Sequence, residues 1–534
     1  MRPQSIALAA FLISALSACS GDHRRSGPAG ASASAVVAAI GEPASVLPPL
    51  VSETVGRDIS DLVYQRLADL RPGRSPIDSS AYRPRLADRW ERVDSLTWRF
   101  HLADNARWAD GRPVTSEDVR FSFEAFSDSL IDAPARPYLA GRVRILPEDS
   151  TTFRVVFARR SPEQFYDATY HVRVIPAHLW SKVPRQAWAS DTMLGHLVGS
   201  GPFRVAEWKR GRFLRLESRR AEKGAFGQVV WRFAPDPDAA LNLLLGHEAD
   251  LMELVGPTAR DPRPAADSSL RLVTYPSAAY GFLGFKIAAA DGKKHPILGS
   301  QATRRGLAMA VDRRALARSI FGPDAVAPPG PMSRLLWIWS DSIRTLPFDT
   351  ARAARELEQG GWHLDRDGWR RRQGSVLRFD VLVPSSSSTR RELAAALQAM
   401  WRAVGARVTV TTVDFPVFQE RLREGKFDCY IGAWLDEPSP RGLADQWTRA
   451  GWRGLNYGHY ANPSFDLFFH QAAATAEPDV ARRLYRRAMD VLNADAPAIF
   501  LYSPTNKAAV STRLNGVEID PYSWLSGLPA WRVR

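Results

Sequence analysis

The chain has 534 residues, 71 Lys and Arg against 57 Asp and Glu, a formal net charge of +14, and two cysteines. That length exceeds what a single hydrophobic core organises, so two or more domains are expected. The basic surplus raises nucleic acid or anionic lipid as partners. The arginines are scattered, however, with no run longer than Arg370-Arg371-Arg372. The charge is therefore read as solubility and nearness to an anionic membrane surface, with no nucleic acid bound.

One positive charge at Arg2 precedes an apolar run over 6–16 that only Ser14 interrupts, the pattern of a secretory signal. The run is about half the ~20 residues that span a bilayer as a helix. Leu16-Ser17-Ala18-Cys19 resembles the lipobox of bacterial lipoproteins, which implies cleavage after residue 18 and acylation of Cys19. Cytosolic readings are thereby disfavoured, and a lipidated Cys19 leaves Cys429 without a disulfide partner. Residues 19–35, rich in Gly, Ala and Ser, read as a flexible, lipid-anchored tether. No later segment is long and apolar enough to span a membrane.

Val36 to Ile40 is an apolar burst stopped at Gly41-Glu42-Pro43 and predicts a buried strand. Residues 57–70 carry helical spacing through Ile59, Leu62, Val63, Leu67 and Leu70. Residues 96–102 alternate with period two, as a half-buried strand does. Thr115 opens a helix, with Asp118 three residues on and Val114 and Val119 flanking it, a capping-box pattern with a staple. Val119, Phe123 and Phe126 share one face. A helix pair follows: Leu307, Ala308 and Val311 end the first, and Asp312 caps the second, which Gly322-Pro323 closes. Residues 392–404 form another helix, leading through Gly405-Ala406 into the alternating strand 408–413, an α/β unit.

In this order, Trp98 to Leu102, Arg107-Trp108-Ala109-Asp110-Gly111-Arg112-Pro113, Gly199-Ser200-Gly201-Pro202-Phe203, Arg304 to Arg313, Gly360-Gly361-Trp362, Gly425-Lys426-Phe427-Asp428, Gly432-Ala433-Trp434, Asn456 to Pro463 and Pro497 to Tyr502 resemble the peptide- and nickel-binding family of extracytoplasmic solute-binding proteins of ABC importers. The resemblance implies a two-lobed α/β periplasmic-binding-protein fold, the large type II variant. Its expected layout is lobe I over 36–265 with an extra subdomain at about 76–190, lobe II over 266–490, and a return to lobe I over 491–534, where 498–503 would be the returning strand. It also implies hinged closure over a solute, most simply a short peptide held as an added strand. The implied partner is an ABC permease that uses ATP, the site is extracytoplasmic, and the protein is a monomer. An oligosaccharide or metal chelate, or a sensor or chaperone role on the same fold, are the alternatives.

The resemblance places the ligand-binding residues at Gly432, Ala433, Trp434 and Asp436. Asp436 matches the carboxylate that pairs with a peptide's α-ammonium group; Glu437 is its rival, and Ser439 stands where relatives often carry a second Asp. Tyr280, Phe282 and, less directly, Phe285 are candidates for the pocket wall, and Arg390 for a cation that receives the far carboxylate. Enzyme motifs are missing: the chain has no G-x-S-x-G, H-E-x-x-H, C-x-x-C or phosphate-loop pattern. Asp365-Arg366-Asp367 begins like a calcium loop, but Trp369, Arg370 and Val376 break it, so a hairpin turn is expected, with no metal and no cofactor. His101, His171 and His178 read as surface or capping residues.

Overall fold

The computed structural model of the protein describes residues 33–219 and 225–534. The leader, Cys19 and most of the tether lie outside them. The apolar burst becomes a central strand, Ser34–Ile40, starting two residues inside the expected tether. It pairs in parallel with Gln228–Ala234 along its whole length and with Leu251–Leu254 on its other side. A parallel strand with neighbours on both sides needs apolar residues facing both ways. Val37 accordingly packs into one core with Leu62, Leu214 and Trp231, and Ala38 into another with Leu241, Leu244 and Met252. Seven strands make this sheet, in the order Leu270–Pro276, Thr505–Ser511, Leu251–Leu254, Ser34–Ile40, Gln228–Ala234, Phe213–Ser218, Phe203–Lys209.

A second sheet of five strands runs Arg407–Val413, Arg378–Pro384, Cys429–Leu435, Ala279–Phe285, Ala498–Tyr502. The fold is thus two α/β lobes. A third sheet, antiparallel, joins Ala87–Arg92, Thr97–Leu102, Thr152–Phe157 and Val143–Pro147 beside the first lobe. The helix Ser116–Ser127 covers it with Val119, Phe123 and Phe126, all buried in one core.

The lobes are joined by a ribbon. Leu270–Pro276 leaves the first sheet and, after Ser277 and Ala278, enters the second as Ala279–Phe285. Ala498–Tyr502 leaves the second and, after Ser503 and Pro504, enters the first as Thr505–Ser511. The two crossings touch: the Ser277 N–H donates to the Pro504 carbonyl at 3.1 Å and the Ser503 hydroxyl to the Ala279 carbonyl at 3.2 Å. The expectation that 498–503 completes the first lobe is corrected here. All five residues of Ala498–Tyr502 are buried, the strand pairs with Ala279–Phe285, and the return to the first sheet starts at Thr505. Likewise Leu270–Pro276, expected in lobe II, pairs in the first sheet.

The helix expected over 57–70 is shorter, Thr54–Val63. Tyr64 is extended, and the Val63 carbonyl accepts the Gly201 N–H at 2.8 Å. Leu67 then serves the neighbouring core and Ala68–Leu70 is a strand, so one apolar run is shared by two elements. A Cβ on Gly199 would sit 1.8 Å from the Val63 carbonyl oxygen, which explains the Gly-Ser-Gly block. The helices Arg313–Phe321 and Ser388–Ala403 and the hairpin at 365–368 form as expected, with Asp312 accepting the Ala315 N–H at 3.0 Å.

The capping pattern at Thr115 turns out to be a hub. One oxygen of the buried Asp118 accepts from the Thr115 N–H (2.8 Å), the Thr115 hydroxyl (3.0 Å) and the Trp108 indole N–H (3.3 Å), and the other from the Ala177 N–H (2.8 Å). Asp118→Ala strands four donors, the buried Trp108 indole N–H among them and the other three half-buried, so a loss of about 3 kcal/mol is expected in denaturant unfolding, several times that of Glu117→Ala on the exposed face of the same turn.

Candidate functional site

Three strands of the second sheet run parallel: Arg378–Pro384 lies beside Arg407–Val413 and Cys429–Leu435. Their carboxyl ends open along one edge, where open α/β sheets hold ligands. Asp436 follows one of these strands and Arg390 lies in the first turn of the helix after another.

Asp436 is bound to the crossing. Its N–H donates to the Ala278 carbonyl at 2.7 Å, and its Oδ2 accepts the Ser333 N–H at 2.5 Å. Loss of water outweighs that hydrogen bond and lifts the carboxyl from its ordinary range to about 7. Burial, followed by the charge of Asp436, holds the phenols of Tyr280 and Tyr522 above their usual range. Glu437 differs: it is exposed and has no hydrogen bond or ion pair among the described residues. Its charge adds to the burial that raises the phenols of Tyr138 and Tyr170 across the gap.

The other expected residues divide between core and cleft. Tyr280 and Phe282 are wholly buried, which corrects their placing on a pocket wall. The Tyr280 hydroxyl meets Gln446 Oε1 at 2.5 Å, and Phe282 packs edge-on to Trp447 and Tyr430 with centroids 5.3 and 5.6 Å away. Phe285 is likewise core. Gly432 is a packing glycine, since a Cβ there would stand 2.8 Å from the Phe282 ring. Ala433 and Trp434 are half-buried at the end of the same strand. Arg390 is half-buried, with its guanidinium 5.9 Å from the Phe418 ring and lowered by desolvation. Its side chain has no hydrogen-bond or ion-pair partner among the described residues.

Sequence reasoning missed the contact between lobes. Arg441, just beyond Asp436, lies over the Tyr138 ring at 4.2 Å and pairs with Asp167 (2.7 Å) and Glu163 (3.3 Å) of the first lobe. It also donates to His171 Nε2 at 2.7 Å, and the Ser439 hydroxyl meets Glu163 Oε1 at 2.6 Å. His171 is therefore a buried member of this contact and not the surface residue expected. Burial lifts the Glu163 carboxyl to about 7. Burial also acts to raise Asp167, but His171 and Arg441 outweigh it and hold it below its ordinary range. The only local signal was Asp167 and His171 at i, i+4; nothing pointed from either to Arg441. A second ion pair across the lobes, Arg260 with Glu392 at 3.2 Å, is exposed and worth little.

A cavity of about 720 Å³ opens in the first lobe, which lines it almost wholly, and the second lobe touches it near Asp436. The first lobe supplies Arg66, Asp69, Tyr170 and Tyr522, and the second supplies Leu335 and Pro438, two residues past Ser333 and Asp436 respectively. The volume suits a small ligand. The Tyr522 hydroxyl is buried and lacks a hydrogen-bond partner among the described residues. No group of three or more His, Cys, Asp or Glu among them is placed to hold a metal, and no helix among them is long and apolar enough to cross a membrane.

Residues 81–453 match the family described as bacterial extracellular solute-binding proteins, family 5, middle region. The oligopeptide-binding protein AppA of Bacillus subtilis is 22% identical over 97% of this chain and 96% of its own. Its structure with a nonapeptide superposes with a TM-score of 0.70 at 20% identity, covering 94% of this chain and 99% of that one. The dipeptide-binding protein of Escherichia coli K12 is 22% identical over 90% and 91% of the two chains. The substrate-binding protein CtaP of Listeria monocytogenes, from an ABC transporter, has a TM-score of 0.80 at 21% identity, over 94% and 99%.

The Glu163 carboxyl, raised from about 4.5 to about 7 by the closed contact, favours closure when protonated. That contribution is full below about pH 4.5 and is lost as pH rises through about 7; Asp436 acts in the same sense, and Asp167 in the opposite sense only at more acid pH. Small-angle scattering of the unliganded protein should show a radius of gyration that grows between about pH 5 and 8, less so in Glu163→Gln. Arg441→Ala should enlarge it at every pH with unchanged far-ultraviolet circular dichroism, because the lobes can separate and rehydrate the stranded acids.

Proposed function

This chain belongs to the bacterial extracellular solute-binding proteins of family 5, and from that premise we propose that it captures short peptides with a free amino terminus and delivers them to an ABC permease. Members of the family are solute-binding proteins rather than enzymes. The observation that carries the reading is Asp436: a desolvated carboxyl with one hydrogen-bond donor, bound to the interlobe crossing, two residues before the cavity-lining Pro438 and close enough to the cavity-lining Tyr522 to act on its phenol. An ammonium group there restores the ionised form and forms a charge-assisted contact shielded from water. Glu437, exposed and unpaired, draws the cation toward the cleft. Tyr522 offers its unpaired hydroxyl to the ligand, and Trp434 and Ala433 flank the entrance. Arg390, at the same sheet edge, is the cation for a distant carboxylate. The relatives named for oligopeptides and dipeptides support the choice of a peptide over an oligosaccharide or chelate.

The leader, a lipid on Cys19, the tether over 19–35 and a monomeric state complete the proposal. Together they make a binding unit held near the membrane outside the cytoplasm. Loss of membrane retention in Cys19→Ser, with peptide binding intact, is the expected outcome for the anchor.

Thermal unfolding with a pool of short peptides, and with the same pool N-acetylated, tests the site. A ligand at about 100 times its dissociation constant adds about 2.7 kcal/mol, so free peptides should raise the melting temperature and acetylated ones should not. Equal shifts, or none, would refute an ammonium-binding carboxylate. Asp436→Asn should weaken binding by at least about 30-fold, as loss of a buried charge partner does, and Glu437→Gln by about threefold. Because an ammonium group demands ionised Asp436, affinity measured in the Glu163→Gln background, which removes the opposing loss of closure, should rise with pH up to about 7 and then level off, and this slope should vanish when Asp436→Asn is added.

A further inference from the structure

The cavity beside Asp436 has an uneven charge balance. Its first-lobe wall carries Arg66, Arg71, Arg74, Arg83 and Arg85. Two of these are neutralised locally: Arg66 by Asp61 at 3.3 Å, and Arg85 by Asp69 at 2.5 Å. Arg71 donates only to the Ser80 carbonyl, at 2.9 Å. The side chains of Arg74 and Arg83 have no hydrogen-bond or ion-pair partner among the described residues. Against these three guanidinium groups the rest of the lining offers Glu518 and Asp520. Asp520 accepts the Tyr522 N–H at 2.9 Å, and its carboxyl is raised by burial, which weakens it as a counter-charge.

The arginines are placed by local structure. Ala68–Leu70 and Tyr82–Pro84 form a two-stranded ribbon with Asp69 opposite Arg83. The chain leaves it through Arg71-Pro72-Gly73-Arg74, where Gly73 has φ +69° and turns Arg74 back beside the ribbon. Low-dielectric walls lined with one sign of charge focus the field in the space between them. A guanidinium also presents a fork that matches a carboxylate. The guanidinium groups line the chamber on the first lobe, and Asp436 and Glu437 immediately precede its second-lobe lining residue Pro438, so the free positive charge and these two carboxyls belong to opposite lobes.

We propose that this chamber selects peptides bearing side-chain carboxylates beyond their amino terminus, so that acidic peptides bind in preference to basic ones. The inference rests on the peptide reading above and adds a charge preference to it. The amino terminus faces Asp436 and the anionic side chains face Arg71, Arg74 and Arg83.

Calorimetric titration of the full-length protein with Ala-Ala-Ala-Ala, Ala-Glu-Glu-Ala and Ala-Lys-Lys-Ala tests it, each with a free amino terminus. The acidic peptide should bind about tenfold more tightly than the basic one, a margin that two half-exposed charge pairs supply. The margin should shrink as salt is raised and largely disappear in Arg74→Gln/Arg83→Gln. Both positions are exposed, so the double variant should keep its melting temperature and its affinity for the alanine peptide. Equal binding of all three peptides by the natural protein would overturn the charge preference and leave the peptide reading standing. Tighter binding of the lysine peptide would do the same. Binding of none would overturn both.

Discussion

The paired crossing between the two sheets is the constraint on which the rest of the molecule depends. Two adjacent strands pass from one sheet to the other and are hydrogen-bonded in both, so the lobes share a ribbon only two chains wide. A narrow connection lets rigid bodies swing with little loss of internal packing. The site is fastened to this ribbon. The Asp436 N–H is held by Ala278, the Arg334 N–H reaches the Ser503 hydroxyl at 3.4 Å, and Ser333 between them binds the Asp436 carboxylate. The binding carboxyl therefore sits beside the axis, where it moves little on closure, while the facing walls sweep through larger distances.

Closure then becomes a matter of charge. Glu163, Asp167, His171 and Arg441 are all largely out of water where the lobes meet. Such a network is neutral or unfavourable relative to apolar packing, but its separation into lone buried charges is expensive. Opening differs from separation in place because it returns each group to solvent. The contact is thus a weak latch that favours correct register over tight closure. A solute touching both lobes can shift the balance by its differential affinity for the closed form alone.

Local structure was legible in the sequence wherever a few neighbouring residues decide it. Thr115 with Asp118, Asp312 before its helix, and the Gly405 turn between helix and strand are short-range arrangements, and the structure has all three. The failures are long-range. Leu67 continues the helical spacing of Ile59 and Leu62 yet belongs to a different core. Ala498–Tyr502 reads as a buried strand in either lobe, and only pairing with Ala279–Phe285 decides which. Tyr280 and Phe282 look like pocket aromatics, but a strand with neighbours on both sides and helices over its faces buries them. Arg441 reads as one more scattered arginine until the helix Gln164–Thr169, far away in the chain, is brought beneath it.

The same distance in sequence separates the two walls of the chamber, and it gives a physical reason for placing opposite charges on opposite lobes. In the open form each wall is hydrated, and its charge is screened over about 8 Å at physiological salt. As the lobes approach, water is excluded and each unneutralised group loses solvation. An empty chamber therefore resists closing, because Asp436 is desolvated without a cationic partner. A solute with an ammonium group at one end and a carboxylate further along supplies both partners at once. A solute with only one of them leaves the other wall uncompensated. Charge at the two ends of the ligand and the angle between the lobes thus become one coupled quantity, and recognition is read out as closure.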